Sequence, residues 1–345
     1  MTVTAAAEPT EAAQGWLRPM DPVRDLGAIA DLVGKAFADE IDERGRAALR
    51  EMQWMARMSP LVWWWAQADP SFQDTFHGFV WEVPPAKVKG GRRAARIVGN
   101  VSLNRAPGNR RRRIICNVVV LEEHRGRGIG RQLVEAAVTE ARQLGAEGVI
   151  LQVYQDNPQA LGLYTSMGFE EVAGETDLWL EAVRAVAFLD APGYRFRPWK
   201  PFDGQAVYDL ARHVIPAEPR WIRPPQAKDY RPDWPVRLGQ WLSNLMAGRR
   251  VYRLLALQEE RLVAMMTVTA ASRRGHHRLE LLVHPNHAGQ VEAALISRAL
   301  HMLAAVPPRP VQTTVYRRHK ATLKVLAGYG FKEQRTLLTL RQDFA

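Results

Sequence analysis

Val118-Val119-Val120-Leu121-Glu122-Glu123-His124-Arg125-Gly126-Arg127-Gly128-Ile129-Gly130-Arg131-Gln132-Leu133 is the stretch that decides the fold of the N-terminal half. It opens inside an apolar run, Ile114–Leu121, whose one polar member is Asn117. Such a run suits a strand buried on both faces. The texture then turns polar and glycine-rich through Gly130. Beyond it Leu133, Val134, Ala137, Ala141 and Leu144 recur at helical spacing, and Gly145 supplies the stop. The order is therefore strand, glycine loop, helix. Glycines let backbone approach an anion with no Cβ in the way. A helix N-terminus leaves N–H groups unpaired at the positive end of its dipole. The arginines at 125, 127 and 131 add charge, and the whole reads as a seat for a diphosphate.

Which diphosphate is narrowed by elimination. A Walker loop needs G-x-x-x-x-G-K-[ST], and no Lys-Ser/Thr follows here. A dinucleotide fingerprint needs G-x-G-x-x-G, but Gly126-x-Gly128 is followed by Arg131 at the third site. What stands is R-x-x-G-x-G, on Arg125, Gly128 and Gly130. About thirty residues on, Asn157, Ala160, Tyr164 and Gly168-Phe169 spell N-x-x-A-x-x-x-Y-x-x-x-G-F after the strand Gly148–Tyr154. Asn157, Ala160 and Tyr164 share one helical face.

The two patterns together resemble the cofactor motifs of the GCN5-related N-acetyltransferase (GNAT) family, over element order from Leu17 to about Leu180. The resemblance implies acetyl-CoA as co-substrate and no metal. It places the diphosphate on Arg125, Gly126, Arg127, Gly128, Ile129, Gly130 and Arg131. Backbone groups of Val118, Val119 and Val120 would meet the pantetheine arm, with Asn157 bonding the same arm. An N–H near Val118 would polarise the thioester carbonyl, and Tyr164 would protonate or hydrogen-bond the departing thiolate. The general base is not legible: Asn117 cannot accept a proton, and Glu122 and Glu123 read as loop residues. Glu122 departs from the proline common at that place in the family, outside the phosphate contacts.

Working outward, Leu26, Ile29, Ala30, Val33 and Phe37 mark a first helix, and about Arg46–Arg57 a second. Phe76–Val83, Ala95–Asn104 and Ile114–Leu121 read as strands, with Gly90-Gly91 and Pro107-Gly108-Asn109 as turns. Two closing strands are expected near Phe169–Val172 and Leu178–Ala182. Trp54 and Trp63-Trp64-Trp65 fall where this family builds its acceptor pocket.

The C-terminal half repeats the order. Phe196–Pro198 echoes Leu17–Pro19, Val315-Tyr316 echoes Val153-Tyr154, and Gly330-Phe331 echoes Gly168-Phe169. The expected fold is α/β: two tandem GNAT-like domains, each a mixed, mostly antiparallel twisted sheet with helices on both faces. Residues 1–14 form a loose tail, 15–189 the acetyl-CoA-binding domain, and 190–345 a degenerate copy. Degeneracy is read from the loop, where Ala288, Val291 and Ala293 replace Arg125, Gly128 and Gly130. In the second motif His319, Thr322 and Leu326 replace Asn157, Ala160 and Tyr164. Branched Val291 should obstruct a diphosphate. The Pro-rich stretch Pro216–Pro235 reads as a surface loop or a lap over a neighbour.

Composition sets the remaining bounds. A chain of 345 residues with 47% apolar content suits two globular domains. No apolar run is long enough for a membrane helix, and Met1–Gln14 lacks the regions of a signal peptide. One cysteine, Cys116, fits a reducing cytoplasm. The net charge of +11 attracts polyanions. No nucleic-acid-binding signature accompanies the runs at Arg92-Arg93 and Arg110–Arg113, however, and these read as solvated loop arginines. His284, His287 and His276-His277 lack a carboxylate or thiol to complete a metal set. The expected function is transfer of acetyl from acetyl-CoA to a primary amine of a small molecule. A peptide or protein N-acetyltransferase and a non-catalytic acyl-CoA sensor are the alternatives; oligomeric state is left open.

Overall fold

The computed structural model of the chain describes residues 15–36, 77–84, 96–184, 186–273 and 275–344. The expected helix at Arg46–Arg57, Trp54, Trp63-Trp64-Trp65 and Arg92-Arg93 lie outside the described residues. By contact the chain forms two compact units, Met1–Leu151 with Arg341–Ala345, and Gln152–Leu340. These follow packing, whereas 15–189 and 190–345 follow the sequence repeat; Gln152–Leu189 belongs to the first repeat and to the second compact unit.

The first unit contains β1 (Trp16–Pro19), α1 (Pro22–Ala36), β2 (Gly78–Val83), β3 (Arg96–Ala106), β4 (Asn109–Val120), α2 (Ile129–Gln143) and the start of β5 (Gly148–Tyr154). Its strands lie in the order β1-β2-β3-β4-β5. They are antiparallel through β4 and parallel at β4–β5, because α2 is the crossover a parallel pair needs. The apolar stripe of α1 is buried as its spacing predicts: Leu26, Ile29, Ala30 and Val33 are 0–5% exposed, and Ile29 and Val33 cluster with Val80 and Val119. On α2, Leu133, Val134, Ala137 and Ala141 are wholly buried. Gly99 permits this close approach. A Cβ there would meet Leu133 Cδ1 at 3.0 Å, Trp81 Cβ at 3.1 Å and Ile129 Cγ2 at 3.3 Å. Gly99 pairs Trp81 while neighbouring Val80 points to α1, so the two helices cover opposite faces.

The second unit continues with α3 (Pro158–Ser166), β6 (Glu170–Leu180), β7 (Arg195–Pro198), α4 (Gly204–Val214), α5 (Ala217–Ile222), α6 (Ala227–Tyr230) and α7 (Trp234–Met246). Then follow β8 (Arg249–Gln258), β9 (Arg261–Ala271), β10 (His277–Val283), α8 (Glu292–Ala304), β11 (Val311–Tyr316), α9 (Lys320–Gly328) and β12 (Lys332–Asp343). The order is β12-β6-β11-β10-β9-β8-β7. Along β9, Ala264, Met266, Val268 and Ala270 cluster with Leu295, Ile296 and Ala299 of α8. Met265 turns the other way, toward Val207, Leu210 and Val214 of α4.

Three expectations change. Arg110–Arg113, read as solvated loop arginines, lie in β4, where Arg113 is 7% exposed. The closing strands read at Phe169–Val172 and Leu178–Ala182 are one strand, β6. Its polar middle is not a break, because β11 supplies partners: Glu175 pairs Tyr316, Asp177 pairs Thr314, and the Thr314 hydroxyl donates to the Asp177 carboxylate. The Pro-rich Pro216–Pro235 is helical in three pieces, α5, α6 and the start of α7, each with a proline at its boundary or in its first turns.

The repeat reaches side-chain detail. In the first unit Arg18 of β1 donates to both oxygens of Asp25 in α1, at 2.6 and 2.8 Å, and also to Glu82. In the second, Arg197 of β7 donates to both oxygens of Asp203, each at 2.7 Å, where Asp203 opens α4. Asp25 and Glu82 are 1% and 3% exposed, and their hydrogen bonds hold the Arg18 proton above the usual arginine range against the pull of burial. Arg18→Met would strand the Asp25 carboxylate, and breaking a buried pair in this way costs about 3–5 kcal/mol. Urea unfolding followed by circular dichroism should show a midpoint lowered accordingly; an unchanged midpoint would show the clamp to be energetically idle.

Candidate active site

In the first unit the site begins with a defect in β4. Across β3, Val119 pairs Asn100 and Cys116 pairs Ser102, so Asn117 and Val118 together oppose Val101 alone. This is a β-bulge. Asn117 adopts φ +51°, a conformation that asparagine tolerates better than other side-chain-bearing residues. Asn100, wholly buried, fixes it by donating from Nδ2 to the Asn117 carbonyl at 2.9 Å. The Asn117 side chain bonds Ser102 Oγ at 3.3 Å. The polar interruption in an apolar strand is thus the sign of a bulge, and this role was missed when Asn117 was weighed only as a base. The bulge leaves Val118 without a partner in the β3 register. On the other side, β4 pairs β5 only from Arg112↔Gly148 to Ile114↔Ile150. The edge of β4 from Ile115 to Val120 is open there to a strand-like ligand.

The loop follows. Leu121 N–H bonds the Val98 carbonyl at 2.8 Å, and a single 3-10 turn spans Glu122–His124. Gly126 and Gly128 take φ +75° and +78°, where side-chain-bearing residues are strained. Gly128 is the N-cap of α2, no side chain caps the helix, and its first turn holds no acidic residue. The donors of that turn therefore point at a place no carboxylate of the chain fills. A Cβ on Gly126 would touch nothing within 4 Å, and one on Gly128 only the Gln132 side chain at 3.9 Å. Arg125 is held by Nε donation to the Val120 carbonyl at 3.1 Å and has no carboxylate partner among the described residues. Arg127 Nη2 bonds the Glu123 carbonyl at 2.9 Å. The first turn of α2 holds no acidic residue, and Arg131 lies 3.9 Å from Glu135; backbone donors and positive charge of this kind suit an anion.

In the second compact unit, Asn157 is the N-cap of α3, and its Oδ1 accepts from Ala160 N–H at 3.1 Å. Its Nδ2 is left for a ligand. Tyr164 is 5% exposed and packs edge-on against Phe169 at 5.8 Å. Its hydroxyl has no hydrogen-bond partner among the described residues. Burial pushes its pKa up to about 12, so the phenol keeps its proton at neutral pH and can donate it. Among the described residues no group of three His, Cys, Asp or Glu could hold a metal ion, and no helix is long and apolar enough to cross a membrane.

The C-terminal half keeps the 3-10 turn and a positive-φ glycine, Gly289, but differs at the bulge, the second glycine and the phenol. Strand β10 runs in unbroken register against β9 from Arg278↔Thr269 to Val283↔Ala264, so it has no bulge. Val291, at the place of Gly128, has φ −114°, because a branched residue cannot follow the glycine's path. Most telling is Glu292, which stands where the first half has Ile129. It is wholly buried. Its Oε2 accepts from Gly289 N–H at 2.8 Å and Val291 N–H at 3.3 Å, and its Oε1 from Thr322 Oγ1 at 3.2 Å. The chain's own carboxylate has taken the anion's place. Leu326, at the place of Tyr164, offers no hydroxyl and is wholly buried.

The site is thus a bulged strand running into a helix N-terminus that no side chain caps. Residues 41–169 match the model of the Acetyltransferase (GNAT) family. It is 41% identical over 59 residues to the uncharacterized N-acetyltransferase YobR of Bacillus subtilis, a stretch that is 17% of this chain and 24% of that protein. It is 37% identical over 59 residues to an N-alpha-acetyltransferase of Sulfurisphaera tokodaii, 17% of this chain and 35% of that protein. The chain thus spans a quarter to a third of these curated relatives. The solved structure of a GCN5-related N-acetyltransferase from Sphaerobacter thermophilus shares the fold over 98% of this chain and 97% of its own, with a TM-score of 0.56 at 17% identity. The whole chain therefore has a GNAT architecture, its second half included.

If Glu292 fills the second seat, removing it should cost stability without creating a phosphate site of the first kind. Each hydrogen bond to a buried charged group contributes about 1.5–3 kcal/mol. Glu292→Ala should therefore lower unfolding free energy by about 3 kcal/mol or more in a denaturant titration. A loss under about 1 kcal/mol would mean that the loop donors are satisfied by other means.

Proposed function

We propose that this protein transfers acetyl from acetyl-CoA to a primary amine of a small molecule, using the motifs of its N-terminal repeat. The observation that carries the reading is the contrast between its two helix N-termini: the first without a capping carboxylate or first-turn acid, the second closed by Glu292.

When bound, acetyl-CoA supplies the activated thioester. The chain's own residues do the rest. The first turn of α2, with Arg125, Arg127 and Arg131, holds the diphosphate. The open edge of Val118–Val120 and the Nδ2 group of Asn157 hold the pantetheine arm by backbone and amide bonds. The N–H of Val118, freed from the β3 ladder by the bulge, polarises the thioester carbonyl while the amine forms its new C–N bond and the C–S bond breaks. Tyr164 donates a proton or a hydrogen bond to the leaving sulfur, and solvent restores the phenol. The proton lost by the amine leaves through water or through a base on another strand.

Two experiments test this. Calorimetric titration with acetyl-CoA should give one site per chain, abolished by Gly128→Glu, which puts a carboxylate where the phosphate belongs. Two sites per chain would mean that the C-terminal half also binds, and none would remove the reading. Tyr164→Phe should lower turnover with an accepted amine by about 10²–10⁴-fold and leave acetyl-CoA affinity within a few-fold. Binding without transfer to any small amine would favour a sensor, and transfer confined to peptide N-termini a peptide acetyltransferase.

A further inference from the structure

Helix α7 in the second unit is amphipathic, yet none of its 13 residues is buried. Trp234, Leu238, Trp241, Leu242 and Leu245 lie on one stripe, with Trp234, Trp241 and Leu245 at 71%, 59% and 57% exposed. A stripe of this width ordinarily closes onto a sheet. Here it faces β8 across a cavity of about 870 Å³ whose far wall includes Trp199, Tyr252 and Arg253. That volume falls within the roughly 300–1,000 Å³ of small-ligand sites. Strand β7 reaches only Leu254–Leu257 of β8, so on the side away from β9 the earlier residues of β8 run beside the cavity.

The charge of the cavity is one-sided. Arg237, Arg249, Arg250 and Arg253 line it and no Asp or Glu does. None of the four has a carboxylate within ion-pair distance among the described residues. Arg253 is half-buried, with its guanidinium 5.1 Å from the centre of the Trp199 ring. Burial lowers its proton affinity, and the Glu280 charge acting the other way does not cancel the effect. A partly desolvated guanidinium stacked on an indole, with no carboxylate at ion-pair distance among the described residues, is an incomplete arrangement, since buried charges are ordinarily paired.

We propose that this slot binds an amphiphilic carboxylate, its unbranched apolar chain lying along the α7 stripe and its carboxylate on Arg253. From Trp234 to Leu245 the stripe is about 16 Å long at ~1.5 Å per residue, the extended length of a medium-chain fatty acid. A second copy of the chain is a poorer occupant, because a two-fold contact would oppose the same arginines across the interface. The site is separate from the acetyl-CoA motifs and does not depend on their function.

The probe is dodecanoate below its micellar concentration, titrated calorimetrically into the full chain, with dodecylammonium as the same tail bearing the opposite charge. One dodecanoate per chain is expected, bound at least ten-fold more tightly than dodecylammonium. Arg253→Met should abolish that preference, and Trp241→Glu, at an exposed position, should weaken both amphiphiles. Should Arg253→Met fail to fold, the exposed pair Arg249→Met and Arg250→Met reads the same preference. Absence of saturable dodecanoate binding, equal binding of the two amphiphiles, or an undiminished preference in the arginine variants would overturn the proposal. So would a dimer in sedimentation equilibrium that Trp241→Glu dissociates, since the slot would then be a subunit interface.

Discussion

Unpaired backbone donors at the start of a helix must find an acceptor, and in this protein two equivalent helices meet that requirement in opposite ways. At α2 no side chain caps the helix, its first turn holds no acidic residue, and Gly128 sits at φ +78°. At α8 it folds its own Glu292 into the same position and anchors it through Thr322. The first helix is left without a side-chain cap; the second is closed by the chain's own carboxylate. The bulge at Asn117, the open edge of β4 and the burial of Tyr164 have meaning only alongside the first.

The repeat shows which features belong to folding and which to chemistry. Both units tie their first strand to their first helix with an arginine fork on an aspartate. In both, the parallel strand pair joins over only a short register before separating: β4–β5 from Arg112 to Ile114, and β10–β11 from His277 to Leu279. These features persist where the loop glycine and the phenol are lost, so they are architectural. The bulge, the second loop glycine and the phenol are present in one repeat alone. Asn157 belongs to both groups, because its Oδ1 caps α3 while its amide nitrogen remains available.

Much of this was legible in the sequence, for reasons that differ by element. The helical stripe of α1 and the strands at 148–154 and 277–283 could be read because periodicity records burial directly. The loop could be read because glycine and arginine in that order have few other uses. The single strand β6 could not, since Glu175 and Asp177 are tolerated there only through partners on β11, far away in sequence. The function of Asn117 was hidden because a left-handed residue in a strand looks like any polar substitution until its register is known. Glu292 escaped notice because a first-turn glutamate is ordinary on a helix surface; only its complete burial distinguishes it. The alternation of prolines with tryptophans from Pro216 onward concealed α7, whose apolar stripe faces a cavity instead of a core.

The last strand has a consequence for biosynthesis. Residues Arg341–Ala345 belong by contact to the first compact unit, where Phe344 N–H bonds the Glu147 carbonyl at 2.9 Å and Asp343 pairs Arg112. The ribosome delivers those residues after the whole of the second unit. The unit that starts at the N-terminus therefore waits with the region around Gly148 incompletely covered until synthesis has passed through more than half of the chain. A nascent chain held in that state depends on its strongly basic surface, and on any chaperone that meets it, to remain soluble until the final strand arrives.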